Sequence, residues 1–358
     1  MDASRYFDNA ATTPVDRRVA DELDRVQRQV IGNAHSIHEA GREARALVEG
    51  GRARVANLLG AEDPSQIIFT SGATEANNWV ISQFDRIAIS PFEHSSVREP
   101  ALHRGASVLG NDGYNLETPI GEPSLLAVMG VNNETGAIIE PPFKPGPMLH
   151  RDLTQSVGKV PFDLTGVAFA SCSAHKLGGP KGVGALYVRD AGSIEPLLRG
   201  GGQEAGLRAG TLNVPGIVGM GLAAQLSHEE REQRHRHALT LRALVLEALA
   251  HTSDWTSASA MAEDCSPFIL SLGFAGVQGE TLVIELDARG FAVSSGAACS
   301  SASPEASPVL LALGFEESLA RGTVRISFGP QNTFDAAHDL GRALAQALEG
   351  LRSQGGRR

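Results

Sequence analysis

Cysteine is scarce in this sequence. Its 358 residues include three, Cys172, Cys265 and Cys299. The number is odd and no CxxC pair occurs, so the sequence indicates neither a disulfide framework nor a zinc site. We therefore expect the protein to bind no metal.

A basic surface is also missing. The chain has 31 Lys and Arg residues against 41 Asp and Glu residues, for a net charge of -10. It contains no Lys/Arg cluster with interleaved aromatic residues of the kind that follows a phosphate backbone. We expect no nucleic-acid partner.

Long apolar runs are absent as well. No run approaches the roughly 20 apolar residues that a membrane-spanning helix needs. The first 14 residues lack the apolar centre of a signal peptide. These features predict a cytoplasmic protein without a membrane partner.

The apolar residues that are present follow an alternating pattern. Helical spacing over 15–30 and 40–59 precedes a short apolar strand at 66–70. Further short apolar segments are separated by loops rich in Gly, Pro and Asn; they are 86–90, 125–131, 167–172 and 184–188. The pattern predicts an α/β fold with a mostly parallel sheet covered by helices.

The pattern changes after about residue 250. Strands are predicted at 268–274, 291–294 and 323–328, and helices at 279–288 and 334–351. We expect a large domain over 14–250 and a smaller α+β domain formed by 1–13 together with 251–358. The helical segment 214–250 would connect them.

Lys176 is the most informative candidate site residue. It follows the apolar run 166–172 and enters a Gly-rich loop, 177–182. A lysine at the end of a buried strand can be desolvated enough to act as an amine nucleophile, and with a pyridoxal aldehyde it forms a Schiff base. Asp152 and Gln155 follow another short apolar stretch, where an acidic partner for a pyridine nitrogen would be needed. The alternative is an ordinary surface lysine.

Two glycine-containing segments are candidate phosphate sites. In the turn 71–74, Gly72 allows close backbone approach, and the N–H groups of the following helix with the Thr74 hydroxyl could bind an anion. The Gly-rich stretch 200–204, followed by Arg208 and Thr211, could add contacts. A plain helix cap and a flexible surface loop are the respective alternatives.

Polar residues follow two further strands. His94 comes after the strand at 86–90 and would project from the carboxyl edge, where α/β proteins bind ligands. It could stack on a cofactor ring and shuttle protons, although a lone histidine is more often an ordinary hydrogen-bonded residue. Asn132 and Asn133 suit the orientation of a carboxylate or a ring oxygen; otherwise they are turn residues.

Two residues stand out in the last third of the chain. Cys299 lies among Gly, Ala and Ser over 294–303, which indicates a mobile, exposed thiol rather than an inert one. Cys172, beside Phe169, has the surroundings of a buried structural cysteine. Arg325 lies between β-branched residues of a strand, where a bidentate clamp for a carboxylate is the simplest use of its charge.

Taken together, these segments resemble the cysteine desulfurases of the class V aminotransferase superfamily, which have the fold type I of pyridoxal-phosphate enzymes. The resemblance covers nearly the whole chain. The matching segments are 7–13, 32–33 with 36–38, 69–77, 93–94, 131–136, 173–182, 200–214, 294–303 and 324–329.

The resemblance implies pyridoxal 5'-phosphate as cofactor and a role for each matching residue. Lys176 would form the Schiff base, Asp152 would pair with the pyridine nitrogen, and His94 would stack on the ring. Gln155 would contact the ring oxygen. The remaining implied roles are phosphate binding by Ala73, Thr74, Ser173 and His175, with Thr211 from a second subunit, and carboxylate binding by Asn133 and Arg325.

The resemblance also implies an activity. L-cysteine would be converted to L-alanine, with its sulfur left as a persulfide on Cys299 and passed on for iron–sulfur cluster assembly or another sulfur-transfer pathway. The enzyme would be a homodimer, and a sulfur-acceptor protein is a possible partner. Two alternatives stay open: another enzyme of the superfamily, a selenocysteine lyase or an aminotransferase, and a catalytically weakened homologue with a binding or regulatory role.

The chain departs from the family pattern at several places. Leu153 replaces a small residue and would place a bulkier side chain beside the ring. The Pro-rich stretch 141–147 stands where a helix of two to three turns is expected. Pro308 occupies a position where an aromatic residue or histidine is common.

Overall fold

The computed structural model describes residues 2–142, 148–252, 255–259, 265–296 and 306–355. Ten α-helices lie in these ranges: α1 Arg17–Gln29, α2 Glu39–Leu59, α3 Ala73–Ser82, α4 Ser95–His103, α5 Val214–Glu229, α6 Arg231–Ala248, α7 Gly279–Asp287, α8 Pro308–Ala312, α9 Glu317–Arg321 and α10 Phe334–Gly355. The strands of the first two thirds are β1 Ile67–Thr70, β2 Ile87–Ile89, β3 Ser107–Val108, β4 Asn111–Asp112, β5 Asn115–Leu116, β6 Leu125–Ala127, β7 Met148–Asp152, β8 Val167–Ser173 and β9 Gly184–Val188. The remaining strands are β10 Trp255–Ser257, β11 Ile269–Phe274, β12 Ser294–Ser295 and β13 Thr323–Ser327.

The larger sheet has seven strands in the order β1-β9-β8-β7-β6-β2-β3. Strands β3, β2, β6, β7 and β8 pair in parallel, whereas β9 is antiparallel to both β8 and β1. The predicted α/β fold with a mostly parallel sheet is therefore confirmed. The carboxyl ends of the parallel strands meet at one edge, which is where ligands bind in such sheets.

Helices cover both faces of this sheet. Apolar residues of α1, α2 and α5, such as Val19, Val48 and Ile217, form one core with β1, β8 and β9. Residues of α3 and α4, such as Trp79 and Val97, form a second core on the other face. Since all seven residues of β8 are buried, the strand reads as a continuous apolar run in the sequence.

A smaller antiparallel sheet has the order β10-β11-β13-β12. Its core contains Leu241 and Val245 of α6, Leu286 of α7, and Leu340 and Leu344 of α10. The predicted helical segment 214–250 is thus two helices, of which α5 joins the core of the large sheet and α6 that of the small one. The domain boundaries stay a prediction.

The amino-terminal segment runs along the small sheet. The Phe7 backbone N–H donates to the carbonyl oxygen of Ala292 at 2.8 Å, and the Ser327 N–H donates to the Phe7 carbonyl oxygen at 2.7 Å. The Phe7 side chain lies in the core beneath this sheet. The segment then continues towards the edge of the large sheet.

The stretch between β6 and β7 has no helix in its described part, residues 128–142. An isolated bridge joins Val131 to Ile138 there. Residues 143–147 of the Pro-rich stretch lie outside the described residues. Among the helices of the described ranges, none has the length and apolar character that crossing a bilayer requires.

Candidate active site

A cavity of about 570 Å³ opens at the carboxyl edge of the large sheet. Predicted site residues from strand ends, helix starts and the small sheet line it together. These are Ala73, Thr74, His94, Asn133, Asp152, Gln155, Ser173, His175, Lys176 and Arg325. Sequence positions more than 250 residues apart therefore meet at one place.

Lys176 reaches this cavity because β8 ends at Ser173 and one 3₁₀ turn, Ala174–Lys176, follows it. The lysine Nζ donates hydrogen bonds to the backbone carbonyl oxygens of Ala10 at 2.5 Å and Ala11 at 2.6 Å. The amino-terminal segment thus holds the amine at the cavity wall.

Asp152 is the last residue of β7 and is 5% exposed. Its Oδ1 accepts from the Thr154 backbone N–H at 2.9 Å, and its Oδ2 accepts from the Asn77 side-chain amide at 2.8 Å. Both oxygens are held by donors, so the carboxylate is fixed at the base of the cavity.

Gln155 lies on the same loop and has a fixed amide orientation. The Lys159 Nζ donates to Gln155 Oε1 at 2.8 Å, and Gln155 Nε2 donates to the carbonyl oxygen of Ala10 at 2.9 Å. Because the Ala10 carbonyl oxygen only accepts, the amide N–H must face Ala10, which leaves the amide oxygen facing Lys159. Burial, with the charge of Lys176 adding to it, lowers the pKa of Lys159 to about 7.

His94 is the N-cap residue of α4, where the helix begins after β2. Its Nδ1 accepts from the Ser96 backbone N–H at 3.1 Å and lies 2.8 Å from the Ser96 hydroxyl. Burial lowers the pKa of the imidazole, which favours the neutral ring at neutral pH.

Helix α3 begins at the cavity with its first N–H groups uncapped. Its N-cap is Gly72, which has no side chain to cap the helix. A Cβ at Gly184 would lie 2.6 Å from the Gly72 Cα, so glycine at 184 allows the turn to pack against β9. This helix start lines the cavity together with Ser173 and His175, and it is suited to bind an anion.

Two ion pairs hold the Gly-rich segment 200–211 in place, one to α2 and one to the first turn of α3. Arg52 donates to both carboxylate oxygens of buried Glu204 at 2.8 Å, and the Phe69 backbone N–H also donates to Glu204. Arg208 pairs with Glu75 at 2.9 Å. Glu204 has φ 49°, a left-handed conformation unusual for a non-glycine residue, so these contacts hold a strained backbone.

Thr211, the last residue of this segment, is exposed and does not line the cavity of its own chain among the described residues. The prediction that it contacts a phosphate from a second subunit stays a prediction.

Arg325 reaches the cavity from β13 of the small sheet and is 4% exposed. It donates to the backbone carbonyl oxygen of Asn133 at 3.0 Å and to Asp8 Oδ1 at 2.8 Å. Its Nε has no hydrogen-bond partner within the described residues. The guanidinium is therefore held by two partners and retains a free donor.

Glu93 precedes His94 and is buried behind the cavity. The Met129 backbone N–H donates to its Oε1 at 2.6 Å, and its Oε2 finds no partner in the described part of the chain. Burial raises the pKa of Glu93 to about 8, and the nearby charge of Asp152 acts in the same direction. The carboxyl group is therefore mainly protonated at pH 7.

One expectation about the site is wrong. Leu153 does not line the cavity; it is buried with Val157 and Cys172 in the core on the opposite face. Successive side chains of a strand alternate between faces, and Leu153 directly follows Asp152. Its bulk therefore packs the core.

Several site residues were missed by sequence reasoning. Thr12, Ser96 and Thr154 line the cavity, and Asn77 and Lys159 orient residues that do. Thr154 lies two residues after Asp152, in the turn that follows β7, so its place in that turn could have indicated it. Cys299 lies outside the described residues.

Comparison with known proteins gives consistent matches. The class-V aminotransferase model matches residues 5–340. A mitochondrial cysteine desulfurase of Eremothecium gossypii is 38% identical over 379 residues, covering 97% of this chain and 76% of the relative. A cysteine desulfurase IscS of Anaeromyxobacter sp. is 38% identical over 378 residues, covering 97% and 93%.

Solved structures agree. A NifS-like protein has a TM-score of 0.87 at 34% identity, covering 96% of this chain and 99% of its own. A structure described as SspA in complex with cysteine has a TM-score of 0.77 at 29% identity, covering 92% and 100%. The chain belongs to the class-V aminotransferase family and, within it, to the cysteine desulfurases.

Proposed function

We propose that the protein is a pyridoxal-phosphate-dependent cysteine desulfurase that converts L-cysteine to L-alanine and transfers the sulfur to Cys299 as a persulfide. The observation that carries this proposal is one cavity that joins an amine, a fixed carboxylate and an imidazole to an uncapped helix start. Membership of the cysteine desulfurase family supports the choice of substrate.

The residues present fit the cofactor. The start of α3, with Thr74, Ser173 and His175, suits its phosphate, and Asp152, which lines the same cavity, suits a protonated ring nitrogen. The buried hydroxyl of Thr154 lacks a partner in the described structure, so the cavity keeps unused hydrogen-bonding capacity. When bound to Lys176, the cofactor supplies an electron sink for bond breaking at the substrate Cα.

The substrate would be held by its carboxylate. Arg325 lines the cavity and is fixed by Asn133 and Asp8, so its guanidinium can bind an anion with little reorganisation. Once freed from the cofactor, the amine of Lys176 is placed to remove the Cα proton. The side chain of Asn133 lines the same wall and would complete carboxylate binding.

Cys299 would act from the segment that precedes α8. The described residues on its two sides, Gly296 and Ala306, line a second cavity of about 580 Å³ that shares His94 and Asn133 with the first. The thiolate of Cys299 would attack the substrate sulfur, so an S–S bond forms and the Cβ–S bond breaks. The electron pair left on the substrate carbon takes up a proton, which gives alanine.

The protein would act as a homodimer in the cytoplasm. It would pass the persulfide sulfur to an acceptor protein, for iron–sulfur cluster assembly or another sulfur-transfer pathway. Thr211 supports the dimer, because its exposed position leaves it free to reach a phosphate in a neighbouring subunit.

The test is an assay with L-cysteine that measures alanine, sulfide and protein-bound persulfide together. We expect equal amounts of alanine and released or protein-bound sulfur, and no persulfide in Cys299→Ser. Sulfur release that is undiminished in Cys299→Ser would favour a lyase. Transamination of L-cysteine without sulfur release would favour an aminotransferase.

A further inference from the structure

A chain of hydrogen bonds runs behind the cavity from Asp152 to His94. The side-chain amide nitrogen of Asn77 donates to Asp152 Oδ2 at 2.8 Å and to the Ser96 hydroxyl oxygen at 2.8 Å. The Ser96 hydroxyl lies 2.8 Å from His94 Nδ1. Asn77 is fully buried and Ser96 is 8% exposed, so water does not compete strongly for these bonds.

The direction of each bond follows from the chemistry of Asp152. An ionised carboxylate only accepts hydrogen bonds, so the Asn77 NH₂ group, and not its oxygen, must face Asp152. The Ser171 hydroxyl donates to the Asn77 oxygen from the other side, which supports the same orientation. The second N–H of the amide is then directed at Ser96.

The next hydrogen bond of the chain joins Ser96 to His94. Because the Ser96 oxygen accepts from Asn77, its single hydrogen remains available for His94 Nδ1. The backbone N–H of Ser96, which can only donate, points at the same nitrogen at 3.1 Å. Nδ1 therefore faces two donors and must be unprotonated, which leaves the proton of the neutral ring on Nε2.

We propose that Asn77 and Ser96 form a relay through which the charge of Asp152 fixes the tautomer of His94, so that the ring presents an Nε2–H to the cavity. Asn77 and Ser96 are positioning residues, since they act on the cavity through His94. Burial lowers the pKa of His94, which favours the neutral ring that this arrangement requires.

The relay has a consequence for the chemistry of the site, which rests on the proposed function. A neutral His94 with its proton on Nε2 can donate a hydrogen bond to a group in the cavity but cannot accept a proton at that atom. Proton removal would then fall to Lys176, and His94 would stabilise negative charge by donation.

The test is a nuclear magnetic resonance experiment on the full-length protein with ¹⁵N-labelled histidine. Long-range ¹H–¹⁵N spectra distinguish the two neutral tautomers, and the His94 signals are identified by their loss in His94→Gln. At pH 8 we expect His94 to be the Nε2–H tautomer in the wild type. An Nδ1–H tautomer would overturn the relay.

Ser96→Ala tests the hydroxyl link while keeping the backbone donor. Loss of one donor to Nδ1 should raise the pKa of His94 and shift its Nδ1 resonance. Ser95→Ala removes an exposed hydroxyl from the same turn and should change neither. Identical spectra and pKa values for Ser96→Ala and wild type would overturn the proposal.

Asn77→Asp tests the direction of the relay. The new carboxylate would accept from Ser96, whose lone pairs would then face Nδ1 and favour its protonation. Asn77→Asp should raise the pKa of His94 in the otherwise wild-type protein and in the Ser96→Ala variant. We expect the rise to be about one unit larger in the otherwise wild-type protein. Equal rises in both backgrounds would show a simple charge effect and contradict the relay.

The spectra need no turnover, so the two proposals can fail separately. An active desulfurase with an Nδ1–H tautomer would overturn the relay alone. An inactive protein with the Nε2–H tautomer would overturn the function alone.

Discussion

The Nζ of Lys176 lies 2.6 Å from the backbone carbonyl oxygen of Ala11, a residue 165 positions earlier in the chain. The adjacent Ala10 carbonyl accepts from Lys176 and also from the amide of Gln155. Both contacts of the Lys176 amine are to neutral backbone carbonyl oxygens of the amino-terminal segment, and they hold the amine in place at the cavity wall.

Lys176→Ala should abolish the visible absorbance of the cofactor–lysine Schiff base, because Lys176 extends from the end of β8 into the cavity. Lys181 also lines the cavity and is the matched control; Lys181→Ala should keep the band. Absorbance spectra of the two purified variants decide between them. The reverse result would move the assignment to Lys181.

Asp152→Asn should retain the cofactor and lose turnover by about 100-fold or more, since the amide does not stabilise a protonated ring nitrogen. The variant is close in shape, so the donors from Thr154 and Asn77 can be retained in part. Cofactor content is measured by absorbance after release in alkali, and turnover by alanine formation. Turnover equal to that of the wild type would remove Asp152 from the mechanism.

The three cysteines should differ in reactivity. Burial raises the pKa of the Cys172 thiol to about 12 and also raises that of Cys265, so few thiolates form at either residue at pH 8. Alkylation of the native protein followed by mass spectrometry should label Cys299 first. After incubation with L-cysteine, the trapped persulfide should also lie on Cys299.

Cys172→Ala and Cys265→Ala are the controls for this experiment and should keep sulfide release. Cys299→Ser should still change the cofactor spectrum when L-cysteine binds, yet form no persulfide. A persulfide on Cys172 or Cys265 with none on Cys299 would show that Cys299 is not the nucleophile.

The protein should be a dimer whose dilution releases cofactor, because Thr211 would complete the phosphate site of the neighbouring subunit. Light scattering gives the mass, and absorbance after dilution and filtration gives the bound cofactor. Thr211→Ala should weaken cofactor retention without dissociating the dimer. A monomer that holds its cofactor fully would contradict the shared site.

Glu93→Gln should change how stability depends on pH. The folded protein keeps a proton on Glu93 up to about pH 8, whereas the unfolded chain releases it near its ordinary pKa. The folded state therefore binds more protons between these values, and the free energy of unfolding falls as the pH rises through this window.

The variant lacks this proton, so its stability relative to the wild type should increase by about 1–3 kcal/mol between pH 5 and pH 9. Urea unfolding at both pH values measures the difference, with Glu99→Gln, at an exposed position of α4, as the control. A difference between variant and wild type that does not change with pH would contradict the buried, protonated state.

The local pattern of the sequence was enough to predict much of the fold. Short apolar runs such as 184–188 match β9 at both ends, because a strand buried on both faces has no polar interruptions. The strand predicted at 291–294 is instead a bridge at Ala292 followed by β12 at Ser294–Ser295. The short strands β3 and β10 are exposed or half-buried and carry little apolar signal.

The site was predictable where a residue ends a strand, closely follows one or begins a helix. Asp152, Lys176 and Thr74 are the respective examples. Asn77 could not be found in this way. It is the fifth residue of α3, and its role comes from hydrogen bonds to residues 19 and 75 positions away. Such contacts depend on how α3, α4 and β7 pack, which periodicity does not show.

The amino-terminal segment couples the lysine site to the packing of the small sheet. It is fastened at Phe7 to the small sheet and at Thr13, whose N–H donates to the His175 carbonyl oxygen at 2.8 Å, to the lysine turn of the large one. Both apolar cores are otherwise built from later residues. Loss of residues 1–13 would remove the wall against which Lys176 rests and, at the same time, take the Phe7 side chain out of the core of the small sheet, so one cut would damage both the site and the packing of that sheet.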